Sequence, residues 1–150
     1  MANTKVQVKA EQWIVTEYLP KQFNQCFEKK RTKVTWGGKF EFDAVSEDGK
    51  IIANISTSSA RTVKGKQAIG KFHKIKGDTL YLLHANATKR LQIFTEKDMQ
   101  EHFMREKKSG RFPPEVDLIH VELPEILKQE LQSARRLASQ EVTPNKSEIT

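Results

Sequence analysis

The chain has 150 residues, of which 37% are hydrophobic and 30% are charged, and this balance predicts one soluble domain with a sizeable core. Lysine and arginine outnumber aspartate and glutamate by 26 to 19, and the net charge of +7 favours a polyanionic partner. No apolar run is long enough to cross a bilayer, the first residues lack the apolar centre of a signal peptide, and the single Cys26 excludes an internal disulfide. We therefore expect a cytoplasmic protein without a membrane partner.

The first third of the chain predicts a helix followed by a strand. Apolar side chains at helical spacing predict a helix over residues 10–30, which Pro20 either kinks or divides into two. Residues 33–36 then fit a strand, and the glycine pair at 37–38 fits a two-residue turn. The cations near the end of the helix either form a basic patch or complement the helix dipole: Lys29, Lys30, Arg31 and Lys33.

Residues 40–57 carry the clearest pattern in the chain and predict a β-hairpin. Apolar and polar residues alternate on both sides of Asp48-Gly49, a pair that favours a type I′ turn because both central residues need positive φ. With these two residues in the loop, Ala44 faces Ala53. One face of the hairpin then belongs to the core and carries Phe40, Phe42, Ala44, Ala53, Ile55 and Thr57. The other face brings together polar side chains that could form a metal or phosphate site: Glu41, Asp43, Asn54 and Ser56.

Residues 49–77 contain seven lysine or arginine residues and no acidic residue, so the charge of this stretch equals the net charge of the whole chain. It predicts a helix over residues 62–76 that ends at Gly77 and exposes a basic face. Such a face is either a contact for a phosphate backbone or an ordinary solvated surface. The candidate nucleic-acid contacts are Arg61, Lys64, Lys66, Lys71 and Lys74.

The second half of the chain alternates predicted strands and helices. Residues 79–85 form a continuous apolar run that suits a buried central strand. Further strands are expected at 90–95 and 117–122, and helices at 95–108 and 124–139. We expect a single domain over residues 1–139 and a disordered polar tail over residues 140–150.

The predicted order of helix, three-stranded meander, helix and strand over residues 10–95 resembles the core of the restriction-endonuclease-like PD-(D/E)XK nuclease superfamily. The resemblance implies an α/β fold in which a mixed sheet opens with a three-stranded antiparallel meander and is flanked by helices. In that superfamily, a strand aspartate and an acid on the next strand bind a divalent metal, and a lysine two residues further helps to activate water. Asp43 matches the aspartate, whereas Asn54 stands at the acid position and Ser56 at the lysine position.

The resemblance implies a nucleic-acid-binding protein on a nuclease-like scaffold with a degenerate catalytic site. DNA or RNA is the expected partner, and a homodimer would match the arrangement of many related nucleases.

Two other functions stay open at this point. In the first, the protein is an active endonuclease in which Asp43 and Glu41 hold Mg²⁺, Asn54 positions a ligand water, and a lysine of the basic stretch stabilises the phosphate. In the second, the chain is a protein-interaction module that binds no nucleic acid. The sequence has no P-loop and no nucleophile elbow, which argues against P-loop nucleotide hydrolysis and serine-type acyl transfer.

Overall fold

The computed structural model describes residues 4–62 and 64–149, in which five strands form one sheet. The strands are β1 (Phe27–Lys33), β2 (Lys39–Ser46), β3 (Ile51–Ser56), β4 (Lys89–Phe94) and β5 (Val116–His120). They lie side by side in chain order, with β1, β2 and β3 antiparallel and β3, β4 and β5 parallel. The predicted α/β class, with a mixed sheet that opens as an antiparallel meander, is confirmed.

Helices pack on both faces of this sheet. The chain begins with α1 (Thr4–Trp13), a π-helical segment (Ile14–Tyr18) and α2 (Leu19–Phe23), and continues with α3 (Ile69–Leu83), α4 (Lys97–Lys108) and α5 (Glu125–Ile149). In the described part of the chain, none of these helices has the length and apolar character needed to cross a bilayer.

Two buried clusters separate the helices into two layers. One cluster joins the sheet to α3 and α4 through residues such as Phe72, Leu82 and Phe103, and we call this side the α3/α4 layer. The other joins the sheet to α1, the π-helical segment and α5 through residues such as Ile14 and Leu131, and we call it the α1/α5 layer. Every residue of β3 is buried, because both layers pack against this central strand.

The predicted hairpin is present with the predicted pairing of Ala44 and Ala53, but the expected type I′ turn is wrong. The turn centres on Glu47 and Asp48, and of its described residues only Gly49 has positive φ. Ala44 faces Ala53, and the Gly49 N–H donates to the carbonyl of Ser46 at 2.9 Å with Gly49 at φ +74°. The Asp48 carboxylate accepts hydrogen bonds from the Ser46 hydroxyl at 2.7 Å and the Lys50 N–H at 3.0 Å, which closes the turn.

The predicted division of hairpin faces is wrong, because β2 contains a bulge. Phe42 packs in the α3/α4 layer, whereas Ala44, two residues further, packs in the α1/α5 layer. The pairing with β1 explains the reversal: the register shifts between Glu28 and Lys30, so that Lys29 faces two residues of β2, Asp43 and Ala44. Regular alternation along a strand therefore fails at this position.

Helix α3 overturns two predictions from the basic stretch. The expected helix over 62–76 and the expected strand over 79–85 are both wrong, because one helix runs from Ile69 through Gly77 to Leu83. Its buried residues, Phe72, Ile75, Thr79 and Leu82, follow each other at helical spacing across the boundary between the two predicted elements. The strand that follows α3 in the chain is β4.

The first helical region also ends earlier than predicted. Asn24 adopts a left-handed conformation at φ +55°, and its N–H donates to the carbonyl of Pro20 at 2.8 Å, which ends α2. Residues 27–30 are strand rather than helix, and β1 ends at Lys33 instead of beginning there. Pro20 follows the π-helical segment, and Tyr18 and Leu19 keep right-handed helical dihedrals, so the chain stays helical through Pro20 and no separate second helix begins there.

The later elements agree more closely with the sequence. Strands β4 and β5 lie within a residue or two of their predicted bounds, and α4 ends at Lys108 as predicted. Helix α5 spans Glu125–Ile149 and residue 150 lies outside the described residues, while the predicted disorder of residues 140–150 stays a prediction.

Gly77→Ala provides a test of α3 because the two interpretations give opposite signs. If Gly77 lies at an exposed position inside α3, alanine should raise the free energy of unfolding by about 1 kcal/mol. If Gly77 instead ended a helix with positive φ, alanine would lower that free energy. Gly49→Ala is the control and should lower that free energy by about 1–2 kcal/mol, since Gly49 has positive φ. Urea unfolding at unchanged m measures both, and a destabilised Gly77→Ala would contradict α3.

Candidate functional site

The bulge in β2 directs the Asp43 side chain toward the neighbouring strand. The backbone pairing of β2 with β3 includes Ala44 but not Asp43. At Asp43 the side chain takes the place of the backbone, and the Ile55 N–H donates to Asp43 Oδ2 at 2.7 Å. Asp43 is half-buried, so its carboxylate meets a backbone donor of the central strand in a partly desolvated setting. The one residue that matches the nuclease motif thus lies where the hairpin strands separate.

Asn54 lies on β3 beneath helix α3. Its side chain is only 3% exposed, and its Nδ2 donates to the backbone carbonyl of Asp78 at 3.4 Å. The Asp78 carboxylate accepts from Lys74 Nζ at 3.1 Å on the same helix. The amide at the predicted acid position therefore ties the central strand to α3.

Glu11 of α1 adds a second carboxylate to the site. The pKa of Glu11 is raised from 4.5 to about 7, chiefly by burial and next by the charge of Asp43, while Lys29 and Lys74 act in the opposite direction. Glu11 reaches the site from the α1/α5 layer and Lys74 from the α3/α4 layer. Both helical layers thus contribute a charge next to Asp43.

The pKa of Asp43 is also raised above its usual value. Burial raises its pKa, the Ile55 N–H lowers it, and Lys29, Asp78 and Lys74 supply the nearby charges. Titratable groups shifted by burial and by specific neighbours are enriched at functional sites, although structural clusters produce such shifts as well. Glu11, Asp43, Asp78, Lys29 and Lys74 form the candidate site, and we call them the carboxylate cluster.

Two predicted site residues have other surroundings. Glu41 is exposed and lies opposite Arg31 on β1. The acid whose charge raises the pKa of Asp43 is Asp78, and Asp43 in turn raises the pKa of Glu11. The Ser56 hydroxyl accepts the N–H of Ser58 at 3.3 Å in a local turn at the end of β3. The proposed metal pair of Asp43 and Glu41 is therefore not the carboxylate pair that the structure brings together.

The predicted nucleic-acid contacts lie on the loop before α3 and on its first turns. Arg61 donates through Nη1 to the Gly65 carbonyl at 2.9 Å, and Lys74 forms the ion pair with Asp78. The remaining members are exposed: Lys64, Lys66 and Lys71. We call all five the loop cations.

A second basic surface lies on the edge strand β1 and the start of β2. Because its residues are on a strand, the explanation by a helix dipole is wrong for them. Its members are exposed, and we call them the hairpin cations: Lys29, Lys30, Arg31, Lys33 and Lys39.

The donor set for a metal ion falls short of the superfamily pattern. Among the described residues, no group of three or more histidine, cysteine, aspartate or glutamate side chains is arranged to hold a metal ion. Magnesium prefers carboxylate and water oxygens in an octahedral arrangement, and Asn54 offers a neutral amide oxygen in place of the expected carboxylate. We derive no metal-dependent step from this site.

Comparison of the chain with protein-family models, curated proteins and solved structures gave no match. The resemblance to the nuclease superfamily therefore stays a prediction that rests on element order and on Asp43. The functional conclusion has to come from the site and its surroundings.

Sequence reasoning missed Glu11 and Asp78, although each left a local signal. Glu11 lies three residues before the buried Ile14, and Asp78 lies between the buried Ile75 and Leu82 at helical spacing. An acid beside the buried stripe of a helix is placed to reach the sheet. What no spacing shows is that both acids approach the same strand residue, Asp43.

Glu11→Gln should change the pH dependence of stability. The native state holds the Glu11 proton up to about pH 7 and the unfolded chain only to about 4.5, so the free energy of unfolding falls as pH rises between these values. Glutamine removes this loss and should stabilise the protein at pH 8 by on the order of 2 kcal/mol after allowance for solvent screening, with little change at pH 4. The exposed Glu17→Gln is the control, and parallel pH profiles for Glu11→Gln and wild type would remove Glu11 from the cluster.

Proposed function

We propose that the protein binds nucleic acid on a nuclease-like scaffold and does not cleave it. The observation that carries this proposal is that one lysine from each of two basic surfaces acts on the same two carboxyl groups of the carboxylate cluster. Lys29 belongs to the hairpin cations and Lys74 to the loop cations, and both act on Glu11 and Asp43. A phosphate backbone that contacts both surfaces would cross this site.

The hairpin cations form an exposed group of positive charges, of which Lys29 acts on Glu11 and Asp43. Among the described side chains, none of the five takes part in an ion pair, whereas lysines elsewhere do, as in Lys9 with Glu130 and Lys128 with Glu122. Lys33 and Lys39 even face each other across the β1–β2 pair, where like charges are destabilising. An anionic partner would relieve that repulsion.

Edge-strand lysines have another established use, because they discourage pairing with a second sheet. That use explains the cations on β1. It does not explain why Lys29 of β1 and Lys74 of α3 act on the same two half-buried acids, Glu11 and Asp43. The acids in the same ribbon, Glu28 and Glu41, leave the hairpin surface with a positive excess.

The residues at the motif positions support binding without cleavage. Asn54 is held under α3 by the Asp78 carbonyl, and the Ser56 hydroxyl closes a turn with the Ser58 N–H. Neither provides a carboxylate for a metal nor an ammonium for a developing charge. The endonuclease alternative lacks a supporting contact at both positions.

Neutralising the hairpin cations tests the proposed contact surface. The triple variant Lys30→Gln, Arg31→Gln, Lys33→Gln should weaken binding and reduce the slope of log K against log salt by about 2–3, because three phosphate contacts are lost. The same test with Lys64→Gln, Lys66→Gln, Lys71→Gln asks whether the loop cations contribute. Binding is measured by fluorescence anisotropy with labelled oligonucleotides at several salt concentrations.

The matched control removes three exposed cations from α4: Lys97→Gln, Arg105→Gln and Lys108→Gln. This control loses the same net charge on a different surface, so its slope should stay near that of the wild type. Equal losses in the hairpin and α4 variants would show a general charge effect and contradict the proposed surface. A wild type that binds no nucleic acid at any salt would contradict the function itself.

A further inference from the structure

A tryptophan lies exposed at the end of the basic ribbon. Trp36 is in the turn that joins β1 to β2, and 58% of its surface is accessible to solvent. Its ring lies 4.0 Å from that of His84, centroid to centroid, and meets Tyr81 edge-on at 6.2 Å. The side chain is therefore backed by α3 and its C-cap, and it remains accessible for a partner.

The turn around Trp36 is anchored rather than loose. The Thr35 N–H donates to the His84 carbonyl at 2.8 Å, and Thr35 Oγ1 lies 3.0 Å from His84 Nδ1. The Gly37 N–H donates to the Val34 carbonyl at 2.9 Å with Gly37 at φ +102°, and Val34 bridges to Ala85. A ring fixed in this way loses little conformational freedom when it binds, which favours affinity.

Charge around the ring indicates the chemistry of the partner. Lys33 and Lys39, the facing pair of like charges, close the strand ends on either side of the turn that carries Trp36. Discouraging sheet pairing needs the lysines but not an exposed tryptophan. An accessible aromatic ring in a turn whose two flanking strands end in cations suits a ligand with both a flat apolar face and a negative backbone.

We infer that Trp36 is a stacking platform for an unpaired base of a single-stranded nucleic acid whose adjacent phosphates contact Lys33 and Lys39. Base pairs inside a duplex hide their faces in the stack, so only an unpaired base can lie on the ring. This inference rests on the proposed nucleic-acid binding and adds to it a preference for single-stranded segments, loops or ends.

The test compares a labelled single-stranded oligonucleotide with a blunt-ended duplex of two annealed strands by fluorescence anisotropy. Trp36→Ala should weaken binding of the single strand by about 5- to 150-fold and leave the duplex affinity within about 2-fold. Trp36→Phe should retain most of the single-strand affinity, because phenylalanine keeps a stacking face. Met104→Ala, which removes an exposed apolar side chain on α4, is the matched control and should bind as the wild type does.

A second measurement does not depend on the fold of the alanine variant. The chain has two tryptophans, so Trp13→Phe leaves Trp36 as the sole reporter, and the single strand should quench its fluorescence more than the duplex does. If the wild type binds nucleic acid but Trp36→Ala changes neither affinity, or both equally, the stacking inference is overturned and the proposed function stands. If the wild type binds neither ligand and the fluorescence is unchanged, both are overturned and the platform fits a protein partner.

Discussion

The hydrogen bond from the Ile55 N–H to Asp43 Oδ2 is the constraint on which the architecture of this site depends. At the β2 bulge the backbone ladder between β2 and β3 gives way, and an unpaired buried N–H at that point would cost about 1–3 kcal/mol. The Asp43 carboxylate meets that need. The same bulge sends Phe42 and Ala44 to opposite faces, so one strand supplies apolar contacts to both helical layers. Asp43 is therefore part of the sheet as well as part of the candidate site.

This structural role shapes what the site can do. The Asp43 carboxylate accepts a backbone N–H, Asn54 donates to the backbone of α3, and Glu11 keeps its proton to about pH 7. This set binds a divalent ion less well than three solvated acids would. The positive charges that reach it, Lys29 and Lys74, belong to two separate basic surfaces. Together these features favour a scaffold that holds a phosphate backbone over one that hydrolyses it.

The sequence predicted those parts of the fold that depend on local chemistry. The Asp48-Gly49 pair located the hairpin and led to the correct pairing of Ala44 with Ala53, although the turn centres on Glu47 and Asp48 instead. Strands β4 and β5 and helix α4 had clear periodicity. Residues 79–85 were assigned to a strand because a short apolar run fits either period, and only packing against the sheet selects the helix. The bulge opposite Lys29 left no pattern to read, so the division of hairpin faces was wrong. The effect of the Asp43 charge on the pKa of Glu11 links residues far apart in the chain, and single-sequence spacing does not report such proximity.

The most direct test of the central claim is a titration of the purified wild-type protein with single-stranded and duplex DNA at two salt concentrations. Each sample is prepared with and without Mg²⁺ or Mn²⁺, and the same samples are run on a gel to detect cleavage. The account predicts binding that weakens steeply with salt and DNA that stays intact in every lane. Metal-dependent cleavage that disappears in Asp43→Ala would contradict the degenerate site, and weak binding that salt does not change would contradict nucleic acid as the partner.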